Sequence, residues 1–275
     1  MKFDMSAAWS EAMRLVAANR QVVTIVAGVF FFLPYLAFML VFANQMEALE
    51  ASQAASPDPD VVGQAMMGFY GEIWWAVLLI AVIQGIGMLG LLTLLTDRSR
   101  PTVGEALKTG ARLVLPYLGA QLLISVVFGI LVLLPIAVGA GVSVAAGLLL
   151  ALVAAVLFLY LFVKVILTPV VIAIERQANP ISALGRSWQL TKGNSLRIFL
   201  FVFLLFIAVA IVGGVFSMIV GIVFALGGPQ TTLLGQAVAS SLVNAVFYVI
   251  FLAVLAAIYR QLSGSSPQMV RETLN

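Results

Sequence analysis

Apolar residues run along this chain in long unbroken stretches instead of recurring at a surface-helix or strand period. The stretches cover approximately 22–43, 73–95, 113–134, 144–174, 198–226 and 237–259. Crossing ~30 Å of hydrocarbon as a helix takes ~20 residues, and each stretch is long enough. Hydrocarbon offers no water to a peptide group, so the backbone must satisfy its own hydrogen bonds, as a helix does. The predicted fold class is therefore all-α: a polytopic integral membrane protein with six transmembrane helices. The fourth and fifth stretches are overlong, which predicts tilt, a kink or an extension past the interface. The first is longer than the 7–15-residue core of a cleavable secretion signal and follows a polar amphipathic stretch, so it reads as a span.

Composition agrees, with 63% hydrophobic and 9% charged residues, against ~25% charged in soluble domains. Charge then supplies the orientation. Lys2, Arg14 and Arg20 precede the first run, and Arg98, Arg100, Lys108 and Arg112 lie between the second and third. Arg176, Arg186, Lys192 and Arg197 lie between the fourth and fifth, with Arg260 and Arg271 at the end. The first, third and fifth connections hold no Lys or Arg, and the first carries Glu47, Glu50, Asp58, Asp60 and Glu72. Basic residues are retained on the cytoplasmic side, so both termini are expected there, in a bacterial inner membrane. The excess charge then faces anionic headgroups, and no nucleic-acid motif accompanies it. Tyr70, Trp74 and Trp75 fit an aromatic belt at the outer end of the second run. Before them, 56–60 reads as a turn, with Asp60 as the cap of a helix running into that span.

Three segments, each preceding a pair of spans, share one register. Ala8-Trp9, Ala106-Leu107 and Ala183-Leu184 are followed by Ala12, Gly110 and Ser187, then by Leu15, Leu113 and Leu190. A helix-breaking feature closes each: Asn19, Pro116, and Gly193-Asn194. The pattern predicts three units in one transmembrane domain, 1–96, 97–175 and 176–262, with a short tail, 263–275. Each unit would be a cytoplasmic amphipathic interfacial helix followed by a transmembrane hairpin.

The candidate chemistry is narrow. The chain has no Cys and no His, which removes thiol nucleophiles, imidazole acid–base catalysis and the usual zinc and haem ligands; no metal or cofactor is expected. Gly85-Ile86-Gly87-Met88-Leu89-Gly90 matches a dinucleotide fingerprint only as a string, because no strand precedes it; its glycines suit close helix packing. The small residues Gly213, Ser217, Gly221 and Ala225, and Gly147, Ala151 and Ala155, suit packing within the bundle or in a homo-oligomer. Gln84 and Asn244 are single amides expected to bond between helices. Lys164 is the one charge well inside an apolar run, and it would either line a polar cavity or headgroup site or snorkel to the interface. Glu175 lies eleven residues on, ~16 Å along a straight helix. Contact between the two would need a bend, and Pro169 between them predicts a kink.

The stretch with Lys164, Pro169 and Glu175, then Asn179-Pro180-Ile181-Ser182-Ala183-Leu184-Gly185-Arg186-Ser187-Trp188-Gln189-Leu190-Thr191-Lys192-Gly193-Asn194 and Arg197, is the most distinctive part of the chain. Together with Ala257-Ile258-Tyr259-Arg260-Gln261-Leu262 it resembles the membrane domain of glycerophosphoryl diester phosphodiesterases. The resemblance covers the last two-thirds by sequence and the rest by topology. In fused members of that family a soluble barrel hydrolyses the phosphodiester with His, carboxylates and a divalent cation. No such barrel is expected here, so the resemblance implies a role beside lipid metabolism or envelope maintenance without the enzyme activity. The expected function is non-enzymatic organisation of lipids or partner proteins. Arg186, Trp188, Lys192 and Arg197 would contact headgroups, and Lys164 would line a cavity. The rival readings are a small-solute or lipid transporter with a cavity near Lys164, Gln84 and Asn244, and an intramembrane enzyme using Lys164 and Glu175.

Overall fold

The computed structural model describes residues 3–55, 58–96 and 101–264. Among these, every regular element is a helix. Helix α1 (Met5–Ala18) begins where the Asp4 carboxylate accepts from the Ala7 N–H at 2.9 Å, and it stops at Asn19. The first apolar run forms α2 (Arg20–Ala27), a π-helical segment over Gly28–Phe32, and α3 (Leu33–Val41). In the π segment the Leu33 N–H reaches back to the Gly28 carbonyl. Pro34, next in line, has no N–H to offer.

Helix α4 (Ala43–Ala55) follows, then α5 (Pro59–Thr96). The helix expected before the second span does run into it unbroken. The turn residues Ser56 and Pro57 and the side chain of Asp60 lie outside the description, as do Lys2, Arg98, Arg100 and Arg271. Helix α6 (Val103–Gly141) opens on a reciprocal cap: Thr102 Oγ1 accepts from the Glu105 N–H, and Glu105 Oε2 accepts from the Thr102 N–H at 2.8 Å. Then come α7 (Val144–Val165), α8 (Thr168–Glu175), α9 (Pro180–Thr191), α10 (Ser195–Ala225) and α11 (Pro229–Leu262).

Six stretches are long and apolar enough to cross a membrane: Arg20–Val41, Val61–Thr96, Val103–Gly141, Val144–Glu175, Ser195–Ala225 and Gln230–Leu262. The chain is thus built as a multi-pass membrane protein. The breaks expected at Asn19 and at Gly193-Asn194 are present, and Gly193 takes a left-handed φ of 82°. The break expected at Pro116 is absent, because α6 continues straight through that residue. A proline removes one hydrogen bond, whereas ending a helix in hydrocarbon strands several carbonyls without water. Pro169 acts as expected, one turn early. Its ring crowds the carbonyl four residues back, so α7 stops at Val165, and Pro169 sits in the first turn of α8.

The chain divides into two compact units. The first comprises Met1–Arg20, Met88–Ile207 and Ile250–Asn275. Its core includes Ala8, Leu89, Ala106, Leu167, Ile172, Ala183 and Ile198, with an unbroken buried run from Leu252 to Tyr259. Packing is close where an added Cβ at Gly147 would meet the Gly139 Cα at 2.5 Å and where one at Gly90 would meet Leu107 at 2.9 Å. The second unit comprises Gln21–Gly87 and Ala208–Val249. There Phe31 stacks on Tyr248 with centroids 4.9 Å apart, and Phe42 meets the edge of Trp75 at 6.0 Å. An added Cβ at Gly87 would fall 2.3 Å from the Phe30 Cβ, and one at Gly213 would fall 2.7 Å from Val243. Gly87 and Gly90 of the fingerprint-like string thus serve helix packing. Asn244 also acts as expected of an intramembrane amide, donating to the Phe31 carbonyl at 3.4 Å.

Candidate functional site

Helix α9 carries Arg186 and Trp188 and leads directly to Lys192, and its local sequence explains its position. Asn179 Oδ1 accepts from the Ile181 and Ser182 N–H groups at 2.9 and 3.3 Å, and Pro180 occupies the first turn, where a missing donor is harmless. Ala183, Ser187, Leu190 and Thr191 form the buried face. Ser187 Oγ donates to the Lys164 carbonyl at 2.6 Å. That carbonyl lies at the end of α7, where the interrupted helix leaves acceptors without their usual donors. A short polar bond thus fixes α9 against the break in the fourth run.

The contact places Trp188 beside Lys164. Lys164 Nζ lies 5.3 Å from the Tyr160 ring centroid and 5.4 Å from that of Trp188. The two rings meet nearly at right angles, 5.7 Å apart, so they form two walls of a corner around the ammonium. Lys164 is only 2% exposed, whereas Tyr160 and Trp188 are 45% and 40% exposed. The two rings thus shield the ammonium from solvent. Ring quadrupoles attract a desolvated cation by ~2 kcal/mol. Among the described residues no carboxylate lies within ion-pair distance of Lys164. Thr168 adds a second unsatisfied group one turn on. Its hydroxyl is buried without a hydrogen-bond partner, while Ser187 occupies the carbonyl four residues back.

Glu175 is engaged elsewhere. Its Oε1 accepts from Arg186 Nε at 3.0 Å and from the Tyr259 hydroxyl at 2.9 Å. The break between α7 and α8 therefore does not bring Glu175 into an ion pair with Lys164. Lys192 is exposed just beyond α9, and Arg197 is exposed in the first turn of α10, where it donates to the Phe3 carbonyl at 3.4 Å. The structure thus gathers the six candidates as two pairs, Lys164 with Trp188 and Glu175 with Arg186, plus two exposed cations.

Sequence reasoning missed several participants. Tyr160 was within reach, since it precedes Lys164 by four residues and so shares its helical face. Tyr259 belongs to a quoted segment but had no assigned role. Glu11 gave no signal. It accepts from Arg260 at 2.7 Å and also pairs with Arg14, while Phe3 N–H donates to Asn194 Oδ1 at 2.9 Å. Asp4 and Gln261 exchange two further bonds, at 3.2 and 3.1 Å. The N-terminal segment is thereby stitched onto the first turns of α10 and the last turns of α11.

Neither a curated protein nor a solved structure matches the chain. A family model described as "Domain of unknown function (DUF7847)" matches residues 36–262, a stretch that takes in the whole of this site except α1 and its anchors, and the chain belongs to that family.

Proposed function

We propose that the chain is a non-enzymatic inner-membrane protein that gathers anionic lipid headgroups on its cytoplasmic face. The observation that carries this reading is the surface of α9 and its flanks. Arg186, Lys192 and Arg197 present positive charge beside the half-exposed Trp188 ring, and the Lys164 ammonium is held behind that ring without a carboxylate. Aromatic rings seat at the headgroup level and cations attract anionic lipid, each Lys or Arg by ~1 kcal/mol. The charge sorting of the connections places both termini on that side. In the same reading the molecule is three hairpins, the first and third introduced by a separate interfacial helix and the second by the opening turns of α6, which run on through Pro116. Burial supports this at nine of the twelve register positions: Ala8, Ala12, Leu15, Ala106, Gly110, Leu113, Ala183, Ser187 and Leu190 are buried, whereas Leu107 and Leu184 are half-buried and Trp9 is exposed. The resemblance to the membrane domain of glycerophosphoryl diester phosphodiesterases extends the proposal to a supporting role in lipid or envelope metabolism.

Native mass spectrometry of the protein in nanodiscs of mixed lipid tests it. Wild type should retain anionic lipid, and Arg186→Gln/Lys192→Gln/Arg197→Gln should lose most of it. Equal retention by both would sink the proposal. One observation favours the transporter reading as a second choice. The buried Lys164 and the Thr168 hydroxyl lie at a helix break, the kind of place where polar groups line a solute path. Labelling of single-Cys variants around Lys164 would detect the water access that reading requires.

A further inference from the structure

The second unit holds a cavity of ≈ 980 Å³ that the reading above does not use. It lies between α3–α4 on one side and α10–α11 on the other, beside the first and fifth connections, which contain no basic residue. Drug-sized ligands fill clefts of ~300–1,000 Å³, so the space suits a sizeable organic molecule. Its lining has two characters. Met39, Met46, Met218 and Leu233 give an apolar wall, and methionine side chains adapt to irregular ligands. Glu47 and Glu50, one helical turn apart on α4, give two carboxylates, with Gln236 and Ser240 offering hydrogen bonds from α11. No Lys or Arg contributes to the lining.

The small-residue series of α10 divides here. Gly213 packs tightly on Val243, but Ser217 and Ala225 face the cavity. Their small side chains leave open the space that larger ones would fill.

We infer that this cavity binds an amphiphilic organic cation, with its apolar body against the methionines and its charge toward Glu47 and Glu50. The sign of charge follows from the lining: an anion would meet two carboxylates and no counter-charge, whereas a cation would relieve their mutual repulsion. A neutral amphiphile would fit the wall but leave the carboxylates unused. This site differs from the α9 surface in its elements and in the sign of its preferred ligand.

The test uses two probes of nearly one shape and opposite charge, tetraphenylphosphonium and tetraphenylborate. Each is titrated by equilibrium dialysis against the full chain in zwitterionic nanodiscs, with empty nanodiscs as the baseline. The expected result is saturable binding of the phosphonium at one per chain and no saturable binding of the borate. Glu47→Gln/Glu50→Gln should weaken the phosphonium at least tenfold. Ser217→Trp should abolish binding by occupying the space, with helicity checked by circular dichroism. The inference is overturned if the phosphonium only partitions without saturation, if the borate binds equally well, or if the charge-neutral variant binds like wild type.

Discussion

The two units solve the problem of polar groups in an apolar chain in opposite ways. In the first, several charges are given partners. Glu11 bridges Arg260 and Arg14, Glu175 holds Arg186 and Tyr259, and Lys164 is enclosed by two rings. In the second, cohesion comes from ring stacking and glycine-to-side-chain contact, while Glu47 and Glu50 stand on the wall of an open cavity. Partnered charge fixes helices in one register, whereas carboxylates left facing a space keep their field available to a ligand. The comparison associates rigidity with the first unit and capacity with the second.

Close packing is the largest effect to break. Gly87→Val should destabilise the second unit by ~3 kcal/mol, because the new side chain overlaps Phe30. Unfolding in mixed micelles reads this directly, and an unchanged midpoint would show that the first and second spans are not so close there. Next comes the N-terminal stitch. Glu11→Gln leaves the mostly buried Arg260 without its anion and should cost ~2 kcal/mol. Amide exchange of α1 should accelerate while α4 exchanges as before.

The aromatic corner is expected to count for less. Trp188→Ala removes one of two ring contacts to Lys164 and should cost ~1–2 kcal/mol, with Trp188→Phe restoring part of it. Loss in both variants alike would mean that the ring matters by volume and not by its face. Smallest is Glu175→Gln. Arg186 is 42% exposed, so water screens the pair and the expected change is under ~1 kcal/mol. A 0.5 M salt arm sharpens the contrast, since salt should loosen α9 and leave the Phe31–Tyr248 stack unaffected.

What the sequence made legible follows from the range of the interactions involved. The six spans depend on local hydropathy, and all six are present. Asp4, Thr102 and Asn179 cap helices within three residues of themselves, a local signal that the sequence reading did not use. The continuity of α6 through Pro116 was not legible, because propensity describes one residue while the alternative to a helix is set by the surrounding hydrocarbon. The partners of Lys164 and Glu175 were hidden for another reason. Trp188 and Tyr259 lie 24 and 84 residues away in the chain, and only tertiary packing brings them near. The cavity required faces from separate helices at once, and no single stretch of sequence encodes it.

The π segment in the first span has a consequence of its own. Gly28–Phe32 carries one residue more than an α-helix of the same length needs, so this span contains a removable position. Deleting any one of these residues should let the ladder close as ordinary α-helix. Because the segment absorbs the extra residue in its wider turn, the parts of the span before and after it would keep their angular register. Val23 and Val26 would stay on the buried face, whereas the same deletion in regular α-helix on either side would turn one end of the span by ~100° against the other. A change in chain length of a single residue, with no change in hydrophobicity, would thus be absorbed inside the π segment and disruptive outside it.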